Sequence, residues 1–505
     1  MDSGLKVDEG SPPGGARRSD ADHLPPNLLW SVFKNTAAQA AARLLIAGTK
    51  FAVYVLVVRT FGAERFGEYS LILALLVLME WILDFGLNDI FVREMCQRPE
   101  KRKDLLRTLA FARVLQAIAA YAVLAVVLLS LGYEASIRTA GLVAGTEVLL
   151  FSGILYYRAL FKATLTMECE ALAEFAGVVV LVGGLGVVCL TKGSLTAMGL
   201  AFVASRVAFF FAAHLLGRKW NVGVPRTLDR AELAWGFKTA WPIGLTGLMV
   251  VLSQALDCIL LERLGDMEAV GVYASAFRFA LPSLLIITGL SGALYPILAS
   301  YWKANRVEFR RTYQLGIDWT AIVVGMMFVV LHVSSTALMG LFQLAESADA
   351  LRALAWVFSA MALTLMVAPA LYVVGGQKYA IVFSSCGVVI KCVLCFTLVP
   401  RFGYLGTAWS AFGAEVSAAL LPTLIVVQRY MGHRVQWWVF AKVVGCVAAA
   451  MGVSFACDMH GSFLGAFVAL VIYCGLCFAT GAARAGHVRK LISAVRQRVR
   501  DGESG

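Results

Sequence analysis

Apolar runs long enough to cross a lipid bilayer recur along this chain from residue 36 to residue 483, and no long polar domain separates them. About 20 apolar residues span a hydrocarbon core as a helix, and only helices or closed barrels satisfy their own backbone in lipid. The runs are too long and too uniformly apolar for barrel strands, so the expected fold is all-α, a polytopic membrane protein. About fourteen helices are expected, at approximately 36–58, 67–92, 106–131, 137–160, 171–191, 195–216, 238–261, 269–295, 315–337, 351–374, 379–399, 404–427, 438–457 and 461–483. Charged residues are 15% of the chain, against roughly a quarter in a soluble protein.

The basic residues choose an orientation. An even number of spans puts both termini on one side. That side then holds Arg98, Lys101, Arg102, Lys103, Arg218, Lys219, Arg306, Arg310, Arg311, Arg429 and Arg434, and the last tail adds Arg484 to Arg500. The opposite loops carry few basic residues, such as Arg59, Arg65, Lys192, Arg263 and Arg401. Positive-inside places both termini in the cytoplasm. The net charge of +12 is this loop bias, and no nucleic-acid partner is expected. The polar residues 1–34 read as a disordered cytoplasmic tail without a cleavable signal. The basic tail 484–505 contains a stretch, 488–500, with the pattern of a surface amphipathic helix or of a solvated basic tail.

An internal repeat divides the chain. Phe61-Gly62-x4-Gly67-Glu68-Tyr69 follows the first span, and Leu264-Gly265-x5-Gly271-Val272-Tyr273 follows the seventh. Both are tight turns between membrane helices, six spans apart, so the repeat is parallel. Two six-helix bundles are expected, 35–216 and 238–427, joined by a basic linker at 217–237 and followed by two additional helices at 428–483.

Ionisable residues at bilayer depth are costly unless they are paired or face a wet cavity, so each marks a candidate site. At about 100° per residue, Asn35, Gln39, Arg43 and Lys50 share an arc of about 80° on the first helix. Glu80, Asp84 and Asn88 make a stripe on the second at i, i+4 and i+8. Asp257 lies in the seventh helix, Arg278 in the eighth, and Arg113, Glu147, Glu174, Arg206, Lys391 and Glu415 lie deep in others. Two arrangements are open. In one, Arg43 or Lys50 pairs with Glu80 or Asp84, and Arg278 pairs with Asp257, to fix packing. In the other, Gln39, Arg43, Lys50, Arg113, Arg206, Arg278 and Lys391 line a cavity for an anionic substrate, while Glu80, Asp84 and Asp257 couple an ion or proton. The eleven cysteines sit mostly within spans as small apolar side chains, and no metal cluster or cofactor is expected.

Several short motifs are shared with a known family. Phe61-Gly62, Phe66-Gly67-Glu68-Tyr69, Asp84-Phe85-Gly86-Leu87, Val92-Arg93-Glu94, Ala276-Phe277-Arg278, Leu294-Tyr295-Pro296 and Val399 to Ala408 resemble the polysaccharide-transport branch of the MOP (multidrug/oligosaccharidyl-lipid/polysaccharide) flippase superfamily. The resemblance covers about residues 30–430. It implies fourteen helices in two V-shaped bundles around a central cavity, and export of undecaprenyl-pyrophosphate-linked oligosaccharides by alternating access, for O-antigen, capsule or exopolysaccharide. A polysaccharide polymerase and glycosyltransferases of the same pathway are the expected partners, and a monomer the expected state. The alternatives within the superfamily are a drug or cation antiporter, which requires a carboxylate-dominated cavity, and a lipid II flippase. A membrane glycosyltransferase or polymerase would need a catalytic loop or domain, and the short loops here offer none. The chain is expected not to be an enzyme.

Overall fold

The computed structural model describes residues 26–218, 230–432 and 434–482, with side chains from Ile46 onward except those of Ala47, Arg230 and Glu346. The tail 1–25, most of the 217–237 linker and the 488–500 stretch lie outside the described residues. Residues 43–485 form one compact unit.

Every described element is a helix or a turn, as the uniform apolar runs require. In order they are α1 (Pro26–Asp84), α2 (Leu87–Gln97), α3 (Arg102–Ser130), α4 (Ala135–Gly145), α5 (Glu147–Ala163), α6 (Met167–Leu190), α7 (Leu195–Gly217), α8 (Arg230–Leu264), α9 (Met267–Ala280), α10 (Leu284–Ala304), α11 (Arg306–Val333), α12 (Ser335–Gly340), α13 (Ala348–Val373), α14 (Gln377–Phe402), α15 (Tyr404–Ala414), α16 (Leu421–Met431), α17 (Trp438–Ala456) and α18 (Phe463–Ala479). Twelve helical runs are long and apolar enough to cross a membrane. The first, Gly48–Gln97, is broken at Gly62, whose φ of 80° and ψ of 176° leave the helical region. Only glycine takes that conformation without strain, so the run is two legs. With both legs and the shorter Phe463–Ala479, the fourteen expected spans are all present.

Local chemistry sets the remaining breaks. Asp266 caps α9 by accepting from the Ala269 amide at 2.7 Å, which fixes the second turn of the repeat. Asn305 caps α11 by accepting from the Val307 and Glu308 amides. Pro282 sits in a 3-10 turn, Leu281–Ser283, that splits the eighth span into α9 and α10. Phe85 and Gly86 take positive φ and split α1 from α2. A single π-helical segment, Glu415–Leu420, joins α15 to α16.

Two crossings bring the N-terminal half of the chain against the C-terminal half. At the turn end, the repeat glycines face each other. A Cβ on Gly67 would strike the Met267 carbonyl oxygen, and one on Gly271 would strike the Ala63 carbonyl oxygen. Two arginines close the same end reciprocally. Arg59 Nε donates to the Leu341 carbonyl at 2.6 Å, and Arg263 Nη2 donates to the Leu131 carbonyl. At the opposite, basic end, α8 presents Gly236, Gly244 and Gly247 to Phe91, Phe85 and Trp81. Membrane helices lack a hydrophobic drive to associate and depend on close packing at small residues; both crossings use that rule.

Candidate functional site

Between the two crossings lies a cavity of about 330 Å³. Its place follows from the order of residues along each helix. On the second leg of α1, Gly67 marks one crossing, Ser70 to Glu80 line the cavity, and Trp81 begins the other. On α8 the order is reversed: Gly236 to Gly247, then lining from Val251 to Cys258, then Arg263. Helices α6, α7 and α9 complete the wall. A second cavity of about 100 Å³ adjoins it and shares Gln254, Asp257, Tyr273 and Phe277.

The charges at this depth pair differently from the sequence expectation. Lys50 pairs with Glu174 on α6 at 3.3 Å, not with Glu80 or Asp84. Glu80 takes Arg206 on α7, which also pairs with the fully buried Glu147 at 3.1 Å. The Arg206–Glu147 contact is an ion pair without hydrogen-bond alignment. Asp257 takes Lys391 on α14 at 2.6 Å and accepts from the Tyr273 hydroxyl at 2.9 Å, so it does not pair with Arg278. Lys391 also donates to the Ser253 carbonyl at 2.6 Å. The physical reason is helix adjacency. A helical stripe predicts which residues share a face but not which neighbouring helix that face meets.

Arg113 and Asp84 lie outside the lining of both cavities. Arg113 is 1% exposed. Its guanidinium pairs with Asp84 at 3.1 Å and donates to Asn88 at 2.6 Å, to Gln116 at 3.0 Å and to the Leu83 carbonyl. Asn88 in turn donates to the Leu155 carbonyl at 3.2 Å. This network holds the Phe85–Gly86 break that seats on Gly244. The side chains of Gln39 and Arg43 lie outside the described residues.

Arg278 is different from every other described cation of the main cavity. Lys50 and Arg206 have carboxylate partners, and Arg278 has none among the described residues. Its guanidinium lies 3.8 Å from the Tyr54 ring centroid and 5.1 Å from that of Phe66, with Ser70 Oγ at 3.5 Å. Aromatic faces hold a guanidinium in place without neutralising it. The net result is a positioned, half-buried cation facing the cavity. Tyr54 and Ser70 were not singled out in the sequence. Tyr54 lies one turn beyond Lys50 on the same helix, which was the available signal.

No curated protein matches this chain. A family described as polysaccharide biosynthesis protein matches residues 32–302, and a family described as MatE matches residues 242–397. Among solved structures, a lipid II flippase in an inward closed conformation is similar at TM-score 0.73 and 12% identity, covering 90% of this chain and 100% of that one. An inward-facing multidrug resistance transporter of the MOP superfamily is similar at TM-score 0.61 and 14% identity, with 78% and 99% covered. A MOP superfamily transporter from Pyrococcus furiosus, whose title speaks of a reversed binding-pocket polarity, is similar at 0.56 and 13%, with 78% and 93% covered. At these identities the structures share the fold alone; the match over residues 32–302 carries the family. The chain belongs to the polysaccharide biosynthesis protein family.

Proposed function

We propose that this protein moves undecaprenyl-pyrophosphate-linked oligosaccharide units from the cytoplasmic to the outer leaflet of the bacterial inner membrane by alternating access. The observation that carries the reading is Arg278: a cation fixed by Tyr54 and Ser70 in the central cavity, with no described carboxylate to satisfy it. A pyrophosphate is the anion that a fixed guanidinium fits best, because the planar donor fork matches phosphate oxygens. Lys50 and Arg206 act as secondary contacts, available once Glu174 or Glu80 lets go. Moving one negative charge outward across an inside-negative potential releases about 2.3 kcal/mol per 100 mV, so the potential favours export.

Coupling by a proton is placed at Glu80 and Asp257, the two candidate acids on cavity walls, rather than at Asp84. Protonating Glu80 leaves Arg206 with Glu147 alone, and protonating Asp257 removes the carboxylate partner of Lys391, so a proton on either acid makes a cation more available to an anion. The crossing at Gly67 and Gly271 is the closed outer gate of this cycle. The two halves, 35–216 and 238–427, are the bundles that rock about it, and the basic end faces the cytoplasm. The protein works as a monomer, supplied by glycosyltransferases and feeding a polymerase, and performs no covalent chemistry itself.

Arg278→Gln is expected to abolish surface polysaccharide while membrane levels of the protein stay normal, and Arg278→Lys to restore part of it. Wild-type surface polysaccharide in Arg278→Gln cells, quantified by immunoblot, sinks the reading. The fold shared with the lipid II flippase supports a second substrate, lipid II. Rescue of a strain depleted of its own lipid II flippase would favour it.

A further inference from the structure

At the basic end, some cations are held by carboxylates, Arg311 by Glu308 at 3.8 Å among them, and others are not. In the N-terminal half, Arg98 pairs with Glu94 at 2.9 Å, Arg107 with Asp104 at 3.2 Å, Arg158 with Glu170 at 3.1 Å and Lys162 with Asp89 at 3.6 Å. In the C-terminal half, Arg306, Arg310, Arg429 and Arg434 have no carboxylate partner among the described residues. Three of them converge. Arg429 and Arg434 line one open hollow with Ile425, Gln428 and Gly432, and Arg310 Nη2 lies behind Gly432.

The hollow is built rather than incidental. Arg310 donates to the Met431 carbonyl at 2.6 Å. Gln314 donates to the Gln436 carbonyl at 2.9 Å and accepts from the Gln436 amide at 2.9 Å. These bonds tie the segment between α16 and α17 to α11. Gly432, with φ of 61°, closes α16 in the left-handed conformation that ends helices. Arg429 and Arg434 donate no described hydrogen bond of their own, and both are exposed.

The surroundings say what kind of anion fits. Leu421 and Ile425 are 49% and 52% exposed and stand one turn apart on α16, and Arg429 follows one turn later. An outward apolar stripe therefore runs directly into the cationic hollow. Trp437 and Trp438 are exposed at the start of α17, and Lys442 lies over the Trp438 ring. Exposed tryptophans beside basic residues mark the depth of lipid headgroups. We propose that this corner is a seat for an anionic phospholipid. Its phosphate sits between Arg429 and Arg434, backed by Arg310, and its acyl chains lie along Leu421 and Ile425. A soluble anion would use the arginines but not the stripe.

The test is lipid retention by the full-length protein in neutral detergent, delipidated and then offered phosphatidylglycerol or phosphatidylcholine, read by native mass spectrometry. The wild type is expected to retain phosphatidylglycerol preferentially. Arg429→Gln with Arg434→Gln is expected to weaken that retention by about 30-fold at low salt, the worth of two surface cations against anionic lipid. Arg98→Gln with Arg107→Gln, at two cations already paired with carboxylates, is expected to leave it unchanged. Arg98, Arg429 and Arg434 are exposed and Arg107 is half-buried, and a monodisperse elution profile establishes that each variant is folded. An undiminished phosphatidylglycerol preference in Arg429→Gln, Arg434→Gln overturns the seat. Equal displacement of the lipid by soluble glycerol phosphate overturns the lipid assignment and leaves a soluble-anion site.

Discussion

The cavity is closed at its two ends by different means. At the turn end, glycine meets glycine: Gly67 lies against the Met267 carbonyl, and Gly271 against that of Ala63. The contact is backbone on backbone, and its two sides are copies of one sequence unit. The arginines repeat the pattern, each donating across to the other half. At the basic end the contact is mixed. Gly236 and Gly247 of α8 receive the rings of Phe91 and Trp81, Gly244 meets both the ring and the carbonyl oxygen of Phe85, Gly86 lies against Gly244 and Ile243, and no repeat relates the partners. A flat backbone contact has little area to lose and separates as a unit. Rings inserted into notches must be withdrawn one by one. In the proposed alternating-access cycle, the turn end is the gate that opens whole and the basic end the one that opens in stages.

Substitutions at the two ends break or sharpen this contrast. The largest effect is expected from Arg113→Gln, which leaves Asp84 without its cation and Asn88 Oδ1 without its donor under the Phe85–Gly86 break. Removing one partner of a buried ion pair costs about 3–5 kcal/mol, to be read as loss of folded protein in detergent on heating. An unchanged unfolding midpoint would detach the basic-end crossing from that network.

Gly271→Leu comes next. The new side chain collides with the Ala63 backbone, and overpacking costs about 1–3 kcal/mol, enough to shift a two-state equilibrium about 5- to 150-fold. Labelling of a cysteine introduced at Ser70 by a membrane-impermeant reagent from the turn side is expected to rise by that order. Gly247→Leu, which meets only the Trp81 ring, is expected to move the same label less, because a ring can turn aside. Equal effects would remove the contrast between the two closures.

The smallest effect is expected from the arginines. Arg59 is exposed, so its bond to Leu341 is screened by solvent, and Arg59→Ala is worth well under about 1 kcal/mol. Arg263 lies 4.5 Å over the Tyr133 ring as well, so Arg263→Ala is expected to raise labelling at residue 70 more than Arg59→Ala does. The reverse ranking would mean that the Tyr133 ring adds nothing to the hold of Arg263.

Much of this was legible in the chain itself. The fourteen expected spans match twelve long apolar helical runs, the first of them in two legs, and the shorter Phe463–Ala479, because hydropathy is what marks a bilayer crossing. The repeat around Gly67 and Gly271 was visible, but that its two glycines touch was not, since a repeat states similarity and not contact. Which charges pair was left open for the same reason, and the partners found for Lys50, Glu80 and Asp257 were not among the pairs considered. Lys50 lies 124 residues from Glu174, and Glu80 lies 126 from Arg206. Nothing along one helix announces such partners. Arg278 was found because arginine at that depth is expensive; Tyr54, which holds it, was missed because tyrosine in a membrane helix is ordinary.

The central claim is that Arg278 contacts the pyrophosphate. The direct measurement is the rate at which reconstituted full-length protein moves a pyrophosphate-linked oligosaccharyl lipid between vesicle leaflets. Losing a charge-assisted hydrogen bond, worth about 1.5–3 kcal/mol, predicts an Arg278→Gln rate about 10- to 150-fold lower, with Arg278→Lys intermediate and Lys50→Gln milder than Arg278→Gln. Transport by Arg278→Gln at the wild-type rate would contradict the account.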